Sequence, residues 1–349
     1  MKKIALLFLL TLIQIAVTFG QIPAGYYALA NGKFGDELKS ALSSAISNNY
    51  NQRSYSDLWG DFYVTDAQPN GSVWDMYSNC SFTFGNSQCG NYNSLCDCYN
   101  REHSLPKSWF NDQTTAPMHT DLFHLYPTDG FTNGKRGNFP FGEVASASWT
   151  GNNGSKVGSS SFSGYTGVVF EPADEYKGDF ARTYFYMATR YLNTNFTYEL
   201  GSVTYTYNNS TCNFTDYALN LLLNWHRNDP VSQKEINRNN AVFGIQNNRN
   251  PYIDYPKLVE HIWGVLQESP FQLGMNDYNA LVPIKIIRYP NGIRVEGAAP
   301  NSMINIYNVV GQKVYSNLIH SDVISLTNLK QGVYIISIDN WIEKIVWYY

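Results

Sequence analysis

The chain has 349 residues, enough for two domains or for one large domain with an appendage. Hydrophobic residues make up 44% of it and charged residues only 15%, a balance that excludes an intrinsically disordered chain. The formal net charge of −4 argues against binding nucleic acid through overall charge, so such a function would have to rest on a local site.

The N-terminus has the features of a secretory signal peptide. Lys2 and Lys3 form a charged start, residues 4–17 are mainly apolar, and the small residue Gly20 stands at the expected cut. The apolar run is shorter than the ~20 residues that a membrane span needs. We therefore predict a cleaved leader over residues 1–20 and expect no stable membrane span elsewhere in the chain.

The next 250 residues predict a mixture of helices, loops and short strands, which we assign to one domain over residues 21–270. Apolar residues at helical spacing, with a capping box at Ser232 and Glu235, predict the helices. These helices are Glu37–Ser47, Asp179–Leu192, Ala218–Asn224, Ser232–Gln246 and His261–Leu266. Residues 55–100 predict loops with short strands, and residues 203–207 predict a strand.

The composition changes after about Pro270, and the rest of the chain predicts strands separated by turns. Asn291-Gly292 and Gly311-Gln312 are typical of hairpin turns. The predicted strands are Ile284–Arg288, Ile293–Glu296, Met303–Val309, Lys313–Tyr315, Val323–Leu326, Val333–Ile338 and Lys344–Trp347. We predict a small all-β, sandwich-like module over residues 282–349.

Four of the five cysteines fall within 19 residues. They are Cys80, Cys89, Cys96 and Cys98, with Cys212 left over. An exported chain meets an oxidising environment, which favours disulfides. A zinc site is the alternative, but Cys96 and Cys98 lack the two-residue gap usual in zinc knuckles. We expect disulfides, with Cys89–Cys98 as one candidate pair, and the full connectivity stays open.

Residues 100–145 carry the densest group of chemically useful side chains. In order they include Glu102, His103, Lys107, His119, Asp121, His124, Asp129, Asn133, Lys135, Arg136 and Asn138. Each has an ordinary structural interpretation: a lone histidine is more often part of the core, Asn-Gly is usually a turn, and lysines often form a solvated face. We expect His119 in a surface loop, His124 either near the site or in the core, and Asp121 and Asp129 as turn and cap residues.

Several motifs in this order resemble those of the bacterial endonuclease I family. They are Glu102-His103, the run from Asp121 to Pro127, the turn from Asn133 to Asn138, the helix from Phe180 to Met187, and the segment from Gln246 to Ile253. Asn247 stands where the family usually has glycine. The resemblance covers roughly residues 25–268. It implies an α+β fold in which helices and short strands surround a ββα-metal (His-Me finger) core.

The resemblance also implies roles for individual residues. His103 would be the general base, and Glu102 and Asn133 would bind one Mg²⁺, with Mn²⁺ or Ca²⁺ as other occupants. An arginine or lysine would hold the phosphate beyond the scissile bond, and Arg136 and Arg182 are the candidates. The chemistry is coherent, because an imidazole with a pKa of ~6.5 can activate water near neutral pH and a hard cation can offset charge on phosphate oxygens.

Adjacent residues of a strand point to opposite faces. Glu102 and His103 can therefore serve one site only if the strand ends or bends there, and Pro106 is consistent with an early end.

The C-terminal module resembles the sorting domain of type IX secretion, on residues 304–308, 311–314, 329–336 and Lys344. This resemblance implies export through the periplasm to the medium or the cell surface, with the secretion machinery as a partner. The predicted function is a secreted, monomeric, largely sequence-nonspecific Mg²⁺-dependent endonuclease acting on DNA, with RNA as a further substrate to be tested. The alternative is a non-catalytic binding or adhesion protein on a degenerate nuclease fold.

Overall fold

The computed structural model describes residues 22–273 and, in the C-terminal part, residues 285–289, 291–296, 302–319, 323–326, 329–338 and 341–347. The predicted signal peptide over residues 1–20 lies outside the described residues. Within these ranges, no helix combines the length and the apolar composition that crossing a membrane requires.

Helices form most of the regular structure up to residue 273. They are α1 (Gly35–Ser47), α2 (Leu58–Thr65), α3 (Gly130–Arg136), α4 (Lys177–Arg190), α5 (Gly201–Thr204), α6 (Asp216–Asn228), α7 (Gln233–Gln246), α8 (Pro251–Asp254) and α9 (Leu258–Ile262). The structure confirms the predicted helices at α1, α4, α6 and α7. It also confirms the capping box, because Ser232 and Glu235 bond to each other's backbone N–H groups at the start of α7.

Three local predictions differ from the structure. Helix α2 lies where loops and strands were predicted, and it buries Leu58 and Phe62, one turn apart, against the core. The predicted strand over residues 203–207 begins only at Tyr205, because Gly201–Thr204 forms a helical turn. The last helix spans Leu258–Ile262, so it begins and ends earlier than the predicted His261–Leu266.

Three small antiparallel sheets accompany these helices. The first pairs β1 (Tyr99–His103) with β2 (Leu125–Asp129), the second has the order β3 (Val144–Thr150), β4 (Lys156–Ser160), β5 (Val168–Glu171), and the third pairs β6 (Tyr205–Asn208) with β7 (Thr211–Phe214). A turn at residues 151–155 joins β3 to β4, where Gly151 N–H donates to the Ser155 carbonyl at 2.7 Å.

Helix α4 forms the centre of the main core. Its residues from Gly178 to Thr189 are all buried, and it packs against α1 and α6. Aromatic side chains dominate its surroundings, as with Phe141, whose ring lies 4.9 Å from that of Phe180 and 5.1 Å from that of Tyr184. The body of the protein is therefore α+β, as predicted.

The C-terminal part is all-β with a core of its own. Its strands are β8 (Lys285–Tyr289), β9 (Gly292–Glu296), β10 (Met303–Asn308), β11 (Lys313–Leu318), β12 (Val323–Ser325), β13 (Gly332–Ile338) and β14 (Trp341–Trp347). They form two sheets, ordered β11-β10-β13-β14 and β12-β9-β8, around buried residues such as Ile306 and Ile336. All seven strands predicted from the sequence are confirmed.

Two disulfides cross-link the irregular segment that precedes β1. Cys80 pairs with Cys96, and Cys89 pairs with Cys98, while Cys212 is a buried free thiol. The candidate pair Cys89–Cys98 is thus confirmed, and the zinc alternative is wrong for these residues.

Candidate active site

The candidate site is built on the β1–β2 pair and the helix that follows it. The two strands run antiparallel, with Glu102 opposite Tyr126 and His103 opposite Leu125. Helix α3 begins directly after β2, and Asp129 caps it by accepting a bond from the Thr132 N–H at 2.7 Å. This arrangement brings the end of β1 and the first turns of α3 to one place.

A cleft of about 730 Å³ opens there. Glu102, His103 and Asn133, the three residues expected to form the centre of the site, all line it. Strand β1 ends at His103, so the neighbouring Glu102 and His103 side chains both reach the cleft, as the sequence required. The other lining side chains include Arg53, Tyr55, Arg101, Lys107, His119 and Asn138.

Glu102 is a buried carboxylate held by one hydrogen bond and one ion pair. Its Oε1 accepts a hydrogen bond from the Tyr77 hydroxyl at 3.0 Å and lies 3.4 Å from Nε of the fully buried Arg136. Burial raises the pKa of Glu102 to about 7, while Arg136 and the Tyr77 hydroxyl oppose the shift. A second positive charge at this carboxylate would therefore be favourable.

His103 is fixed in one orientation by a backbone contact. Its Nε2 lies 2.9 Å from the carbonyl oxygen of His119. A carbonyl can only accept, so the contact assigns the proton of the neutral ring to Nε2 and leaves a lone pair on Nδ1. Burial, with a smaller contribution from nearby His124, lowers the pKa of His103 well below its usual value. The imidazole is therefore in its basic form at neutral pH.

His103 belongs to a cluster of three imidazoles. Its ring stacks on His119 at 5.0 Å and meets the edge of His124 at 5.4 Å. The expectation that His119 is a surface loop residue is wrong, since its side chain is only 7% exposed and its carbonyl orients the candidate base. His124 is fully buried and bonds to the Met118 carbonyl, so it belongs to the core beneath the site.

Asn133 projects from α3 and is half-buried at the cleft. Its Nδ2 donates to Oδ1 of Asn100 at 2.7 Å. In this orientation the carbonyl oxygen Oδ1 is the other end of the Asn133 amide group. Asn133 can thus present an uncharged oxygen ligand to a cation.

Arg136 and Arg182, the two candidates for holding phosphate, do not line the cleft. Arg136 is fully buried behind Glu102, and it also donates to the carbonyls of Ser104 and Gly137. Arg182 is fully buried in a two-pronged ion pair with Glu235, at 2.5 and 2.9 Å. Neither position suits contact with a substrate phosphate, because both guanidinium groups are already engaged inside the protein.

Comparison with known proteins identifies the family of this chain. A family model described as Endonuclease I matches residues 34–257, more than half of the chain. The chain belongs to the endonuclease I family. It is therefore a nuclease, a hydrolase whose substrate is nucleic acid.

Individual relatives add detail. The chain is 38% identical to the extracellular ribonuclease of Bacillus amyloliquefaciens over 242 aligned residues, which cover 68% of this chain and 78% of the relative. The extracellular ribonuclease of Bacillus subtilis (strain 168) is 36% identical over 241 residues, with the same coverage. Endonuclease-1 of Buchnera aphidicola subsp. Baizongia pistaciae is 29% identical over 147 residues, 42% of this chain and 51% of the relative.

The C-terminal module matches a second family model. Residues 289–346 match a secretion system C-terminal sorting domain. With the extracellular relatives, this match identifies a protein that is secreted or displayed on the cell surface through type IX secretion, as predicted from the sequence.

Proposed function

We propose that this secreted nuclease is a metal-dependent endonuclease that hydrolyses phosphodiester bonds of DNA and of RNA without reading the base sequence. His103 is the general base, and Glu102 and Asn133 hold one divalent cation, Mg²⁺. One observation carries the proposal: in the cleft that Glu102 and Asn133 line, the His119 carbonyl assigns the Nε2 proton of His103 and leaves Nδ1 as the base. The β1–β2–α3 unit then corresponds to the ββα-metal core.

The donors at the cleft fit a hard cation. Glu102 offers a buried carboxylate that is paired with Arg136, and Asn133 offers an amide oxygen. Mg²⁺ prefers oxygen ligands and keeps several waters, so two protein ligands suffice. The described residues contain no group of three or more His, Cys, Asp or Glu side chains that could hold a metal. A site made of one carboxylate and one carboxamide accords with that finding.

The chain's own residues then divide the reaction between them. Nδ1 of His103 takes a proton from a water molecule, whose oxygen forms a bond to phosphorus while the bond to the leaving oxygen breaks. The His119 carbonyl stabilises the imidazolium that results, because it accepts a hydrogen bond from the Nε2–H group of the ring. A cation held by Glu102 and Asn133 would supply charge stabilisation for the phosphate and leaving oxygens. Tyr77 and Arg136 keep the Glu102 carboxylate in place.

The substrate range follows from the shape of the site. Phosphate chemistry carries no sequence information, and specific recognition needs contacts to base edges. The lining of the cleft is dominated by charged and polar side chains suited to a sugar-phosphate backbone. The relatives named as extracellular ribonucleases support RNA as one of the two proposed substrates.

The test is hydrolysis of plasmid DNA and of a structured RNA by the secreted protein. His103→Ala should abolish cleavage of both, whereas the matched control His261→Ala should cut at the wild-type rate, because His261 does not line the cleft. Chelation by EDTA should stop the wild type, and Mg²⁺ should restore it. Cleavage by His103→Ala at the wild-type rate would refute the base assignment. A wild type that cuts neither polymer would favour the non-catalytic binding protein.

A further inference from the structure

With Arg136 and Arg182 engaged inside the protein, the cleft needs another cation to hold a polyanionic substrate. Three lysine or arginine side chains line it, namely Arg53, Arg101 and Lys107. A cationic side chain that binds a ligand should be held in a fixed position and should have no acidic partner in the protein. Arg53, Arg101 and Lys107 can be compared by these two criteria.

Two of these side chains already have acidic partners. Arg53 donates to both carboxylate oxygens of Asp61 at 2.8 and 3.0 Å and also lies 3.8 Å from Asp57. Lys107 pairs with Asp112 at 3.0 Å, and both side chains are 55% exposed. A long, exposed lysine is a mobile point charge, so Lys107 provides little orientation.

Arg101 is different, because no carboxylate lies within ion-pair distance of it in the described part of the chain. It is half-buried between two aromatic rings: its Cζ lies 3.6 Å from the ring centre of Tyr55 and 4.4 Å from that of Trp59. Nη1 donates to the Tyr55 carbonyl at 2.6 Å. A guanidinium has five N–H donors, so this contact leaves donors for an anion. Accordingly, burial lowers the pKa of Arg101 slightly from its usual range, whereas Asp61 raises that of Arg53.

The position of Arg101 relative to His103 is also defined. Arg101 and His103 are two residues apart on β1, so both side chains leave the same face of the strand, ~6.6 Å apart along it. Tyr55 connects them, because its ring lies 6.1 Å from that of His103 and stacks on His119 at 4.9 Å. The guanidinium of Arg101 therefore lies on the same side of β1 as the imidazole of His103, with the Tyr55 ring in contact with both.

We infer that Arg101 binds the phosphate next to the one being cut, with Tyr55 and Trp59 as the residues that position it. The inference rests on the proposed function and assigns the phosphate-binding role left open above. A contact of this kind is made before and during the reaction alike, so it should set affinity rather than turnover.

Binding tests the inference independently of catalysis. In the full chain, His103→Ala keeps a DNA duplex uncut, and its affinity can be followed by fluorescence anisotropy over a range of salt concentrations. Adding Arg101→Gln, which removes the charge but keeps a donor for the Tyr55 carbonyl, should weaken binding by about tenfold or more. It should also reduce the magnitude of the slope of log K against log salt by about 0.9, the contribution of one phosphate contact.

Two further variants separate a ligand contact from a structural role. Arg101→Lys should restore the salt slope and only part of the affinity, since lysine keeps the charge but not the stacked, forked geometry. Arg227→Ala removes an arginine that pairs with Glu260 outside the cleft and should change neither quantity.

In the catalytically active background, Arg101→Gln should raise KM with kcat little changed. Unchanged affinity and salt slope would overturn the inference, and so would a fall in kcat with KM unchanged. If the wild type binds DNA as expected but cuts neither polymer, the proposed function fails while the binding result still decides the role of Arg101.

Discussion

The hydroxyl of Tyr77 is expected to control how tightly the site binds its metal. Tyr77 is fully buried and donates to Glu102 Oε1 at 3.0 Å, and burial raises its own pKa well above the usual value, so it remains a donor at any working pH. A hydrogen bond to a charged group contributes about 1.5–3 kcal/mol. Tyr77→Phe removes that donor from a carboxylate whose pKa is already about 7.

The variant should therefore need about 10–100 times more Mg²⁺ for half-maximal activity, the usual effect of removing a group that orients a metal ligand. At saturating Mg²⁺ its kcat should approach that of the wild type, because Tyr77 does not contact the reacting groups. The assay is plasmid hydrolysis against Mg²⁺ concentration. Tyr126→Phe is the matched control: it also removes a buried hydroxyl, but one that bonds to Thr183 at 2.7 Å. Equal Mg²⁺ dependence in both variants and the wild type would refute the reasoning.

Two other predictions follow from the same structure. First, the proposed metal site needs the ionised form of Glu102, whose pKa is about 7. As pH falls through about 7 the carboxylate takes up a proton, so the affinity for Mg²⁺ should drop by up to about tenfold per pH unit. The acid limb of the pH–activity curve should therefore move to lower pH as the Mg²⁺ concentration is raised, and a limb fixed at one pH would contradict this. Second, Arg182→Met breaks a buried ion pair and should lower the free energy of unfolding by about 3–5 kcal/mol in urea titrations. The control Arg227→Ala breaks an exposed ion pair and should lower the free energy of unfolding by at most about 1 kcal/mol. An Arg182→Met protein of normal stability that has lost its activity would instead return Arg182 to the active site.

The parts of the fold that the sequence predicted are those with strong local signals. Helices α1 and α4 have clear apolar spacing, and α7 has a capping box. Helix α2 was missed because its sequence, with Gly60 among aromatic and β-branched residues, has little helix propensity of its own. It forms because Leu58 and Phe62 are buried by the rest of the molecule, and such tertiary effects leave no local pattern.

The difference between local signals and tertiary effects also explains which site residues the sequence predicted. Glu102, His103 and Asn133 were predicted as site residues from their residue types and motifs, and in the structure all three line one cleft. His119 was misjudged because it acts through its backbone carbonyl, which every residue possesses. Arg182 was misjudged because its partner, Glu235, lies 53 positions away, and a single sequence does not show which acid a buried arginine will meet.

The two hydrophobic cores described above have no residue in common: one ends with Phe271, and the other begins with Ile293. A protease that cut the chain between them would therefore leave each core with all of its own residues, and both disulfides and the cleft would stay in the N-terminal product. We expect that the C-terminal module can be removed after export without unfolding the part of the chain that carries the cleft.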